Sequence, residues 1–218
     1  MLNKAEEWGY RLENTNPCRS VRPNRKRQGE RVLSNEELAR LGAELAKLRS
    51  SDDRTKQCVG AAITLLLLTG CRKSEILTLE WSDIKGNRLH LRDSKTGPRT
   101  VWLGSAAREV IAGLPRFERV PYPFWNYSYR KPLRCVNGFW RRLRDKAGLP
   151  GVRIHDLRHT FASHAAMNKE TLPMIGRLLG HANVQTTARY AHLDDRHLLE
   201  AAQQIGDAVG ALMDTHRC

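Results

Sequence analysis

The longest apolar run in this chain of 218 residues covers positions 60–68 and ends at Thr69-Gly70. A membrane-spanning helix needs about 20 apolar residues, so this run is too short to cross a bilayer. Asp52-Asp53 suits the start of a helix and Gly70 suits its end. The run therefore predicts a buried helix at the centre of a globular core. We expect no transmembrane helix and no signal peptide.

Helical periodicity occupies most of the remaining sequence. Ser34-Asn35-Glu36-Glu37 is a capping box, which predicts a helix as far as Leu48. Another helix should begin at about Arg72 and include Leu79. The other predicted helices cover residues 2–12, 105–113, 133–147, 155–167, 172–179, 184–191 and 195–212.

Between residues 83 and 103 the apolar period changes from helical to alternating. Residues 83–85, 88–92 and 99–103 predict three short strands, which Gly86-Asn87 and Lys95-Thr96-Gly97-Pro98 join as turns. The predicted fold class is therefore mainly α with a small three-stranded antiparallel sheet, an α+β arrangement.

Charge limits the class of partner. The chain has 37 Lys and Arg against 23 Asp and Glu, a formal net charge of +14 and a pI near 10.1. Such a balance is typical of nucleic-acid binding, although a ribosome-associated or simply basic protein would share it. Five scattered cysteines with no C-x-x-C pair indicate a reducing compartment, so we expect a cytoplasmic protein.

Basic residues are concentrated between residues 16 and 31, where the only acid is Glu30 and two prolines favour extended backbone. We interpret this stretch as a basic linker. Its predicted DNA contacts are Arg22, Arg25, Lys26 and Arg27. The amphipathic helix before it cannot bury its apolar face alone. Residues 1–30 are therefore expected to be the end of an upstream domain plus the linker, and residues 31–218 the main domain with a C-terminal helix.

The stretch Thr69-Gly70-Cys71-Arg72-Lys73-Ser74-Glu75 places an arginine at the start of a helix, the end with partial positive charge. Arg72 is tolerable there if it faces an anion that the same helix end attracts. Glu75, one turn later, could hold the guanidinium in place. An ordinary surface ion pair between residues three apart explains the same spacing.

The stretch His155-Asp156-Leu157-Arg158-His159 places His155 and Arg158 on one face of a helix. A histidine and an arginine that converge suit an oxyanion with a proton to exchange. Zinc binding by His155 and His159 is the competing interpretation. Metalloprotease helices have a glutamate after the first histidine, whereas this chain has Asp156, so we expect no metal site.

Two further candidates depend on their surroundings. His181 follows a glycine that ends a helix, and Tyr190 comes nine residues later between Arg189 and Ala191. Tyrosine has an ordinary pKa near 10 and becomes a nucleophile only where cations surround it. Lys95, in the turn after the second strand, could act as a point charge or a proton donor. Structural roles explain each of them equally: a capping histidine, a core tyrosine and a solvated loop lysine.

Together, these four stretches resemble the catalytic domain of the tyrosine recombinases, the phage-integrase family, over about residues 31–197. The resemblance implies the fold of that domain and no cofactor, with Glu75 as the acidic companion of the first arginine. It also implies that the upstream domain is the core-binding domain of the family. The catalytic residues that it implies are Arg72, Lys95, His155, Arg158, His181 and Tyr190.

The activity implied by this resemblance is site-specific DNA recombination, as in the integration or excision of a phage or an integrative element. Tyr190 would form a 3′-phosphotyrosyl intermediate, His155 would exchange a proton with it, and Lys95 would protonate the departing 5′ oxygen. The implied partners are double-stranded DNA, further copies of the chain in a tetramer on DNA, and excision or bending factors. The implied location is the nucleoid in a bacterial cytoplasm, for a bacterial or phage-encoded protein.

Two other functions share much of this pattern. A type IB topoisomerase-like enzyme uses the same chemistry within one duplex, and a non-catalytic DNA-binding module would keep the basic surface alone. The sequence has no G-x-x-x-x-G-K-[ST] motif, which argues against a P-loop motor. It shows no compact carboxylate cluster of the kind that two-metal nucleases need.

The basic linker generates a first prediction. Changing Arg25, Lys26 and Arg27 to Ala should weaken binding to all DNA sequences similarly, because phosphate contacts carry no sequence information. The plot of log binding constant against log salt should flatten by about one unit for each phosphate that is no longer bound. Fluorescence anisotropy across a salt series measures this slope, and an unchanged slope would show that the linker does not contact DNA.

Overall fold

The computed structural model describes residues 1–21, 31–92, 97–128, 130–181 and 183–193, together with scattered positions between 203 and 209. The chain divides into two compact units, Met1–Glu30 and Arg31–Cys218. Within the described ranges, no helix is long and apolar enough to cross a membrane. The predicted DNA contacts of the linker lie outside the described residues: Arg22, Arg25, Lys26 and Arg27.

Over residues 1–21, the first unit contains one short helix, α1, which covers Leu2–Glu7. The prediction that this helix continues to residue 12 is wrong, because Gly9 adopts a left-handed φ of 72° and turns the chain away. The buried Glu6 carboxylate accepts the backbone N–H of Asn16 at 2.6 Å and pairs with Arg19 at 3.5 Å. These contacts hold the segment after the turn against α1.

The second unit is mainly helical. Short 3₁₀ helices at Trp81–Asp83, Val184–Thr186 and Ala188–Leu193 supplement its main elements. The main elements, in chain order, are α2 (Asn35–Arg49), α3 (Arg54–Thr69), α4 (Lys73–Leu77), β1 (Ile84–Lys85), β2 (Arg88–Leu91), β3 (Arg99–Trp102), α5 (Ser105–Ala112), β4 (Trp125–Asn126), β5 (Lys131–Pro132), α6 (Asn137–Lys146), α7 (Asp156–Met167) and α8 (Leu172–Leu179).

Side-chain caps begin α2 and α3 where the sequence predicts them. Ser34 Oγ accepts the backbone N–H of Glu37 at 3.2 Å, and the Glu37 carboxylate accepts the backbone N–H of Ser34 at 3.1 Å. Asp53 accepts the backbone N–H groups of Thr55 and Lys56 at the start of α3. These bonds satisfy donors that have no partner inside the helix. Both predicted helix starts are confirmed.

The central helix of the second unit is α3, which packs against α2, α5 and α7. Each fully buried aliphatic side chain of this helix stabilises the fold by about 1.5–3 kcal/mol relative to leaving it exposed. The buried helix predicted from the apolar run is therefore confirmed. Its buried apolar residues are Cys58, Val59, Ala61, Ala62, Ile63, Leu65 and Leu66.

Strands β1, β2 and β3 form an antiparallel sheet in that order, which confirms the three-stranded sheet of the prediction. Leu89 pairs with Ile84 on one side and Val101 on the other. Leu89, Leu91 and Val101 are buried, and the residues between them are more exposed, as alternating side chains require. The sheet therefore covers the core with one face.

Three predicted helices of the second unit differ from the structure. The helix predicted to include Leu79 ends at Leu77. The predicted helix over residues 133–147 begins only at Asn137, because β5 pairs with β4 in a second antiparallel sheet that the sequence pattern did not predict. The predicted helix over residues 184–191 is replaced by two 3₁₀ helices that break at Thr187. Thr187 is β-branched, and its hydroxyl bonds to a side chain outside the segment, so the regular α-helical pattern is lost there. The predicted helix over residues 195–212 lies largely outside the described residues.

Gly70 ends α3 in the left-handed conformation, with a φ of 62°. A Cβ at this position would lie 2.5 Å from Cδ1 of Phe161 on α7 and 2.8 Å from Cδ2 of Leu179 on α8. Only glycine therefore lets the end of α3 approach the middle of α7 and the end of α8 this closely.

Replacing Gly70 with Ala should lower the free energy of unfolding by about 2–5 kcal/mol, since backbone strain and overpacking add. Gly151→Ala is the matched control, because Gly151 has a φ of 74° but no atom within 4 Å of the added Cβ. That variant should lose only about 1–2 kcal/mol. Urea denaturation measures both, and equal losses would mean that the close approach of the three helices does not matter.

Candidate active site

The C-terminal end of α8 is the acceptor for three arginine side chains from other parts of the second unit. The last carbonyls of a helix lack partners inside the helix and carry partial negative charge, so they attract cations. The three donors come from the start of α4, the start of β3 and the first turn of α7. The bonds run from Arg99 Nη1 to Leu178 O (3.0 Å), from Arg158 Nη2 to Leu179 O (2.9 Å) and from Arg72 Nη2 to Gly180 O (3.4 Å).

Arg158 is the most buried of the three, with 5% of the residue exposed. Its Nη1 also donates to Gly70 O at 2.6 Å, so one guanidinium joins the ends of α3 and α8. Burial, and then the charge of Arg72, lowers the pKa of Arg158 to about 10. The side chain still carries its full charge at neutral pH.

Glu75 is the acid that balances this cluster, and its side chain is 2% exposed. One oxygen accepts Arg72 Nη1 at 2.8 Å, and the other accepts both the backbone N–H of Arg72 and Arg99 Nη2 at 2.8 Å. Burial disfavours the carboxylate, but the bond from Arg99 and those from Arg72 outweigh it and hold the pKa of Glu75 below its ordinary value. The acid is therefore ionised and fixes both arginines.

His181 follows directly after the turn that receives the arginines. Its Nδ1 lies 2.8 Å from Thr187 Oγ1. Burial, followed by the charges of Arg158 and Arg72, lowers the pKa of His181 to about 4. The ring is therefore neutral at physiological pH, and when the Thr187 hydroxyl donates to Nδ1, Nε2 carries the hydrogen and can donate it.

His155, Arg158 and His159 project from one face of α7, since they are three and four residues apart. The rings of His155 and His159 pack edge to face with centroids 4.9 Å apart. His159 Nδ1 and the hydroxyl of Tyr190 are hydrogen-bonded at 2.8 Å, and Tyr190 is only 3% exposed. Burial, and then the charge of His159, lowers the pKa of His155, which keeps that ring neutral as well.

The sequence matches the Phage integrase family over residues 31–197. The chain belongs to this family. The matched range includes the whole cluster around the end of α8, as well as His159 and Tyr190. The family predicted from the four sequence stretches is therefore confirmed.

Known relatives agree with this assignment. The integrase of Haemophilus phage HP1 is 31% identical over 191 residues, which cover 86% of this chain and 51% of the relative. The catalytic domain of that bacteriophage HP1 integrase has been solved, and it covers 79% of this chain and 93% of its own length at 28% identity and a TM-score of 0.58. The predicted fold class, mainly helical with a small antiparallel sheet, is confirmed.

A more distant structure has the same fold. The XerH site-specific recombinase, crystallised with its palindromic difH substrate in a post-cleavage complex, covers 79% of this chain and 52% of its own at 24% identity and a TM-score of 0.64. The present chain spans about half the length of the curated relatives it matches.

The structure brings most of the predicted site residues together. Arg72, Glu75, Arg158 and His181 meet at the end of α8. His155 and Tyr190 both contact His159, which directly follows Arg158 on α7. Lys95 lies outside the described residues.

Sequence reasoning missed two residues of this site. The sequence pattern suggested His159 only as a zinc ligand, although its place one residue after Arg158 puts it at the same helix start. Arg99 was not singled out, although it is the first residue after the Lys95 turn and begins a strand. Within the described ranges, no group of three or more metal-ligating side chains occurs.

The lowered pKa of His181 predicts how stability depends on pH. The unfolded chain binds a proton at this histidine below about pH 6.5, whereas the folded protein binds it only near pH 4. The stabilisation is therefore present above pH 6.5 and is lost as pH falls from 6.5 to 4. His181→Asn should flatten the fall of the melting temperature over this interval.

The control for this measurement is His90→Asn on β2, which removes a histidine outside the cluster. Differential scanning calorimetry at several pH values compares the two variants with the parent chain. If both variants show the same slope as the parent, the protonation of His181 does not govern acid stability.

Proposed function

We propose that this integrase-family chain cleaves and rejoins DNA at specific sites through a covalent 3′-phosphotyrosyl intermediate. The observation that carries the proposal is the convergence of the guanidinium groups of Arg72 and Arg158 beside the neutral His181. A phosphodiester is an anion, and planar arginine forks match its geometry. Tyr190, joined to the same helix face through His159, supplies the nucleophile.

In the first step, the Tyr190 oxygen forms a bond to phosphorus while the bond from phosphorus to the 5′ oxygen breaks. Negative charge grows on the non-bridging oxygens, where Arg72, Arg158 and His181 donate hydrogen bonds. A guanidinium has five N–H groups, so each arginine keeps donors for the phosphate beyond its two side-chain bonds within the protein. Losing one such donor typically costs about 10²–10³ in rate.

Protons must move at both ends of this step. The phenol gives its proton to a histidine, and the contacts support His159, with the neutral His155 one turn before it, as the acceptor pair. Lys95 gives a proton to the departing 5′ oxygen. The energy of the broken ester bond is kept in the tyrosyl ester. A 5′-hydroxyl from a second duplex can therefore attack it and release Tyr190 without ATP or metal.

The burial of Tyr190 requires a movement before attack. A side chain that is 3% exposed cannot reach a phosphate of duplex DNA from its present position. The segment Ala188–Leu193 that carries it is a 3₁₀ helix, whose hydrogen bonds are weaker than those of an α-helix. We infer that this segment shifts when DNA occupies the arginine cluster.

The wider organisation is also proposed. Residues 1–30 would be the end of a core-binding domain plus a basic linker, and residues 31–218 the catalytic domain with a C-terminal helix. The net charge of +14 and the DNA in the XerH structure support double-stranded DNA as the partner. A tetramer on DNA, excision or bending factors, and a nucleoid location in the cytoplasm complete the proposal for an integrase of a phage or integrative element.

A type IB topoisomerase-like strand transferase remains the second candidate, because the same cluster would perform its chemistry. A two-site assay separates them. A recombinase joins the ends of two different duplexes, whereas a topoisomerase relaxes supercoils within one plasmid. A non-catalytic DNA-binding module would do neither.

Tyr190→Phe tests the nucleophile. The substrate is a nicked duplex whose short 5′-hydroxyl fragment diffuses away, so that the parent chain is trapped as a covalent adduct. The Phe variant should form no adduct, because it lacks the attacking oxygen. Its free energy of unfolding should fall by only about 1 kcal/mol, the usual net value of one hydrogen bond.

Tyr127→Phe is the matched control and should leave the adduct intact. Gel electrophoresis detects the adduct, and digestion with mass spectrometry places the nucleotide on the peptide that holds Tyr190. An adduct on another residue, or one that persists in Tyr190→Phe, would disprove the assignment of the nucleophile.

A further inference from the structure

We infer that Arg99 is a positioning residue, which holds Arg72 and the turn before His181 in the geometry that strand cleavage needs. This inference rests on the proposed function and extends it to a residue outside the predicted set. Arg99 begins β3, so it reaches the site from the sheet. Arg72 and His181 reach it from α4 and from the end of α8.

The first contact that supports this role is with Glu75. Arg99 Nη2 donates at 2.8 Å to the oxygen of Glu75 that also accepts the backbone N–H of Arg72. The other oxygen accepts Arg72 Nη1 at 2.8 Å. Arg99 thus helps to fix the rotation of the carboxylate. Without it, Glu75 would be held by Arg72 alone, and the direction of the Arg72 guanidinium would be fixed less tightly.

The second contact is with the end of α8. Arg99 Nη1 donates to Leu178 O at 3.0 Å. A Cβ on Gly180 would lie 2.5 Å from Arg99 Cδ, so the arginine stem lies directly against the glycine backbone. Arg99 Nη2 also lies 3.7 Å from Cys71 Sγ, next to Arg72 in the chain. One side chain therefore spans the space between the start of α4 and the turn that carries His181.

The bonds that Arg99 makes within the protein distinguish it from the two arginines assigned to the phosphate. Its Nη2 donates to Glu75 and lies against Cys71 Sγ, and its Nη1 donates to Leu178 O. Its two terminal nitrogens point to acceptors on different elements, which a planar fork can do and a lysine ammonium cannot reproduce. Among the described residues, Arg99 thus makes three side-chain bonds within the protein, against two for Arg72 and two for Arg158, and its role is to position Arg72 and the His181 turn.

The test measures the first-order rate of adduct formation on the nicked duplex at saturating protein. Arg99→Met should reduce this rate about 10- to 100-fold, since a displacement of about 1 Å at a reacting group can cost a hundredfold. DNA affinity should be unchanged. Arg99→Lys keeps the buried charge, so it should fold normally and still react at least about threefold more slowly. Arg177→Met, an exposed arginine on α8, is the matched control and should react at the parental rate.

A double-mutant cycle shows whether Arg99 acts through Arg72. Arg72→Lys already lacks the fork, so adding Arg99→Met should lower the rate by less than about threefold further, because residues that share one function are not additive. If the two rate reductions multiply fully, Arg99 does not act through Arg72. If the rate falls only in step with the melting temperature, Arg99 has a general structural role. Either result would overturn the inference.

A second measurement does not depend on activity. Titration of the Glu75 carboxyl by ¹³C NMR should show a higher pKa in Arg99→Met and no change in Arg177→Met. An unchanged Glu75 titration in Arg99→Met would overturn the inference. If the parent chain forms no adduct while the Glu75 titration shifts as expected, the proposed function fails and the positioning contact stands.

Discussion

Three guanidinium groups share the carbonyl end of one short helix, and the arrangement of the second unit depends on this interaction. The last carbonyls of α8 have no partners within the helix, and their partial negative charge compensates part of the cost of bringing like charges together. Among the described residues, Glu75 is the acid that pairs with the cluster. Because this carboxylate pairs with Arg72 and Arg99 while Arg158 bonds to backbone carbonyls, the cluster keeps an excess of positive charge. Such an excess favours a phosphate group over a neutral ligand.

The helices meet at this point because two of them end in glycine. Gly70 and Gly180 both adopt left-handed backbone, with φ of 62° and 67°. A Cβ added to either glycine would collide with another side chain: Phe161 at Gly70 and Arg99 at Gly180. Arg158 then donates to the carbonyl of Gly70 and to that of Leu179. The central buried helix α3 therefore places the site directly, because its own end is one of the acceptors.

Neutral histidines complete the chemistry of the site. Burial lowers the pKa of both His181 and His155, with a further contribution from arginines at His181 and from His159 at His155. Both rings can therefore accept or donate hydrogen bonds without adding charge. This matters because further positive charge would be repelled by the arginines already present. The contact between His159 and Tyr190 adds a third ring to the same helix face. In the proposed reaction, the arginines would hold the anion, and the neutral rings of His155 and His181 would be available to exchange protons.

Local signals in the sequence determined the caps of α2 and α3, the buried central helix, the three-stranded sheet and the candidate residues at the helix starts. These features depend on neighbours within a few positions, such as Ser34 with Glu37 or Gly70 after an apolar run. The tertiary structure alone decided that Arg99 shares Glu75 with Arg72, that His159 contacts Tyr190, and that residues 184–193 form 3₁₀ turns. The first two outcomes join groups far apart in the chain: 24 residues separate Arg99 from Glu75, and 31 separate His159 from Tyr190. Hydrophobic period and helix capping carry no information about such pairs, because the pairs exist only after the helices and the sheet have packed.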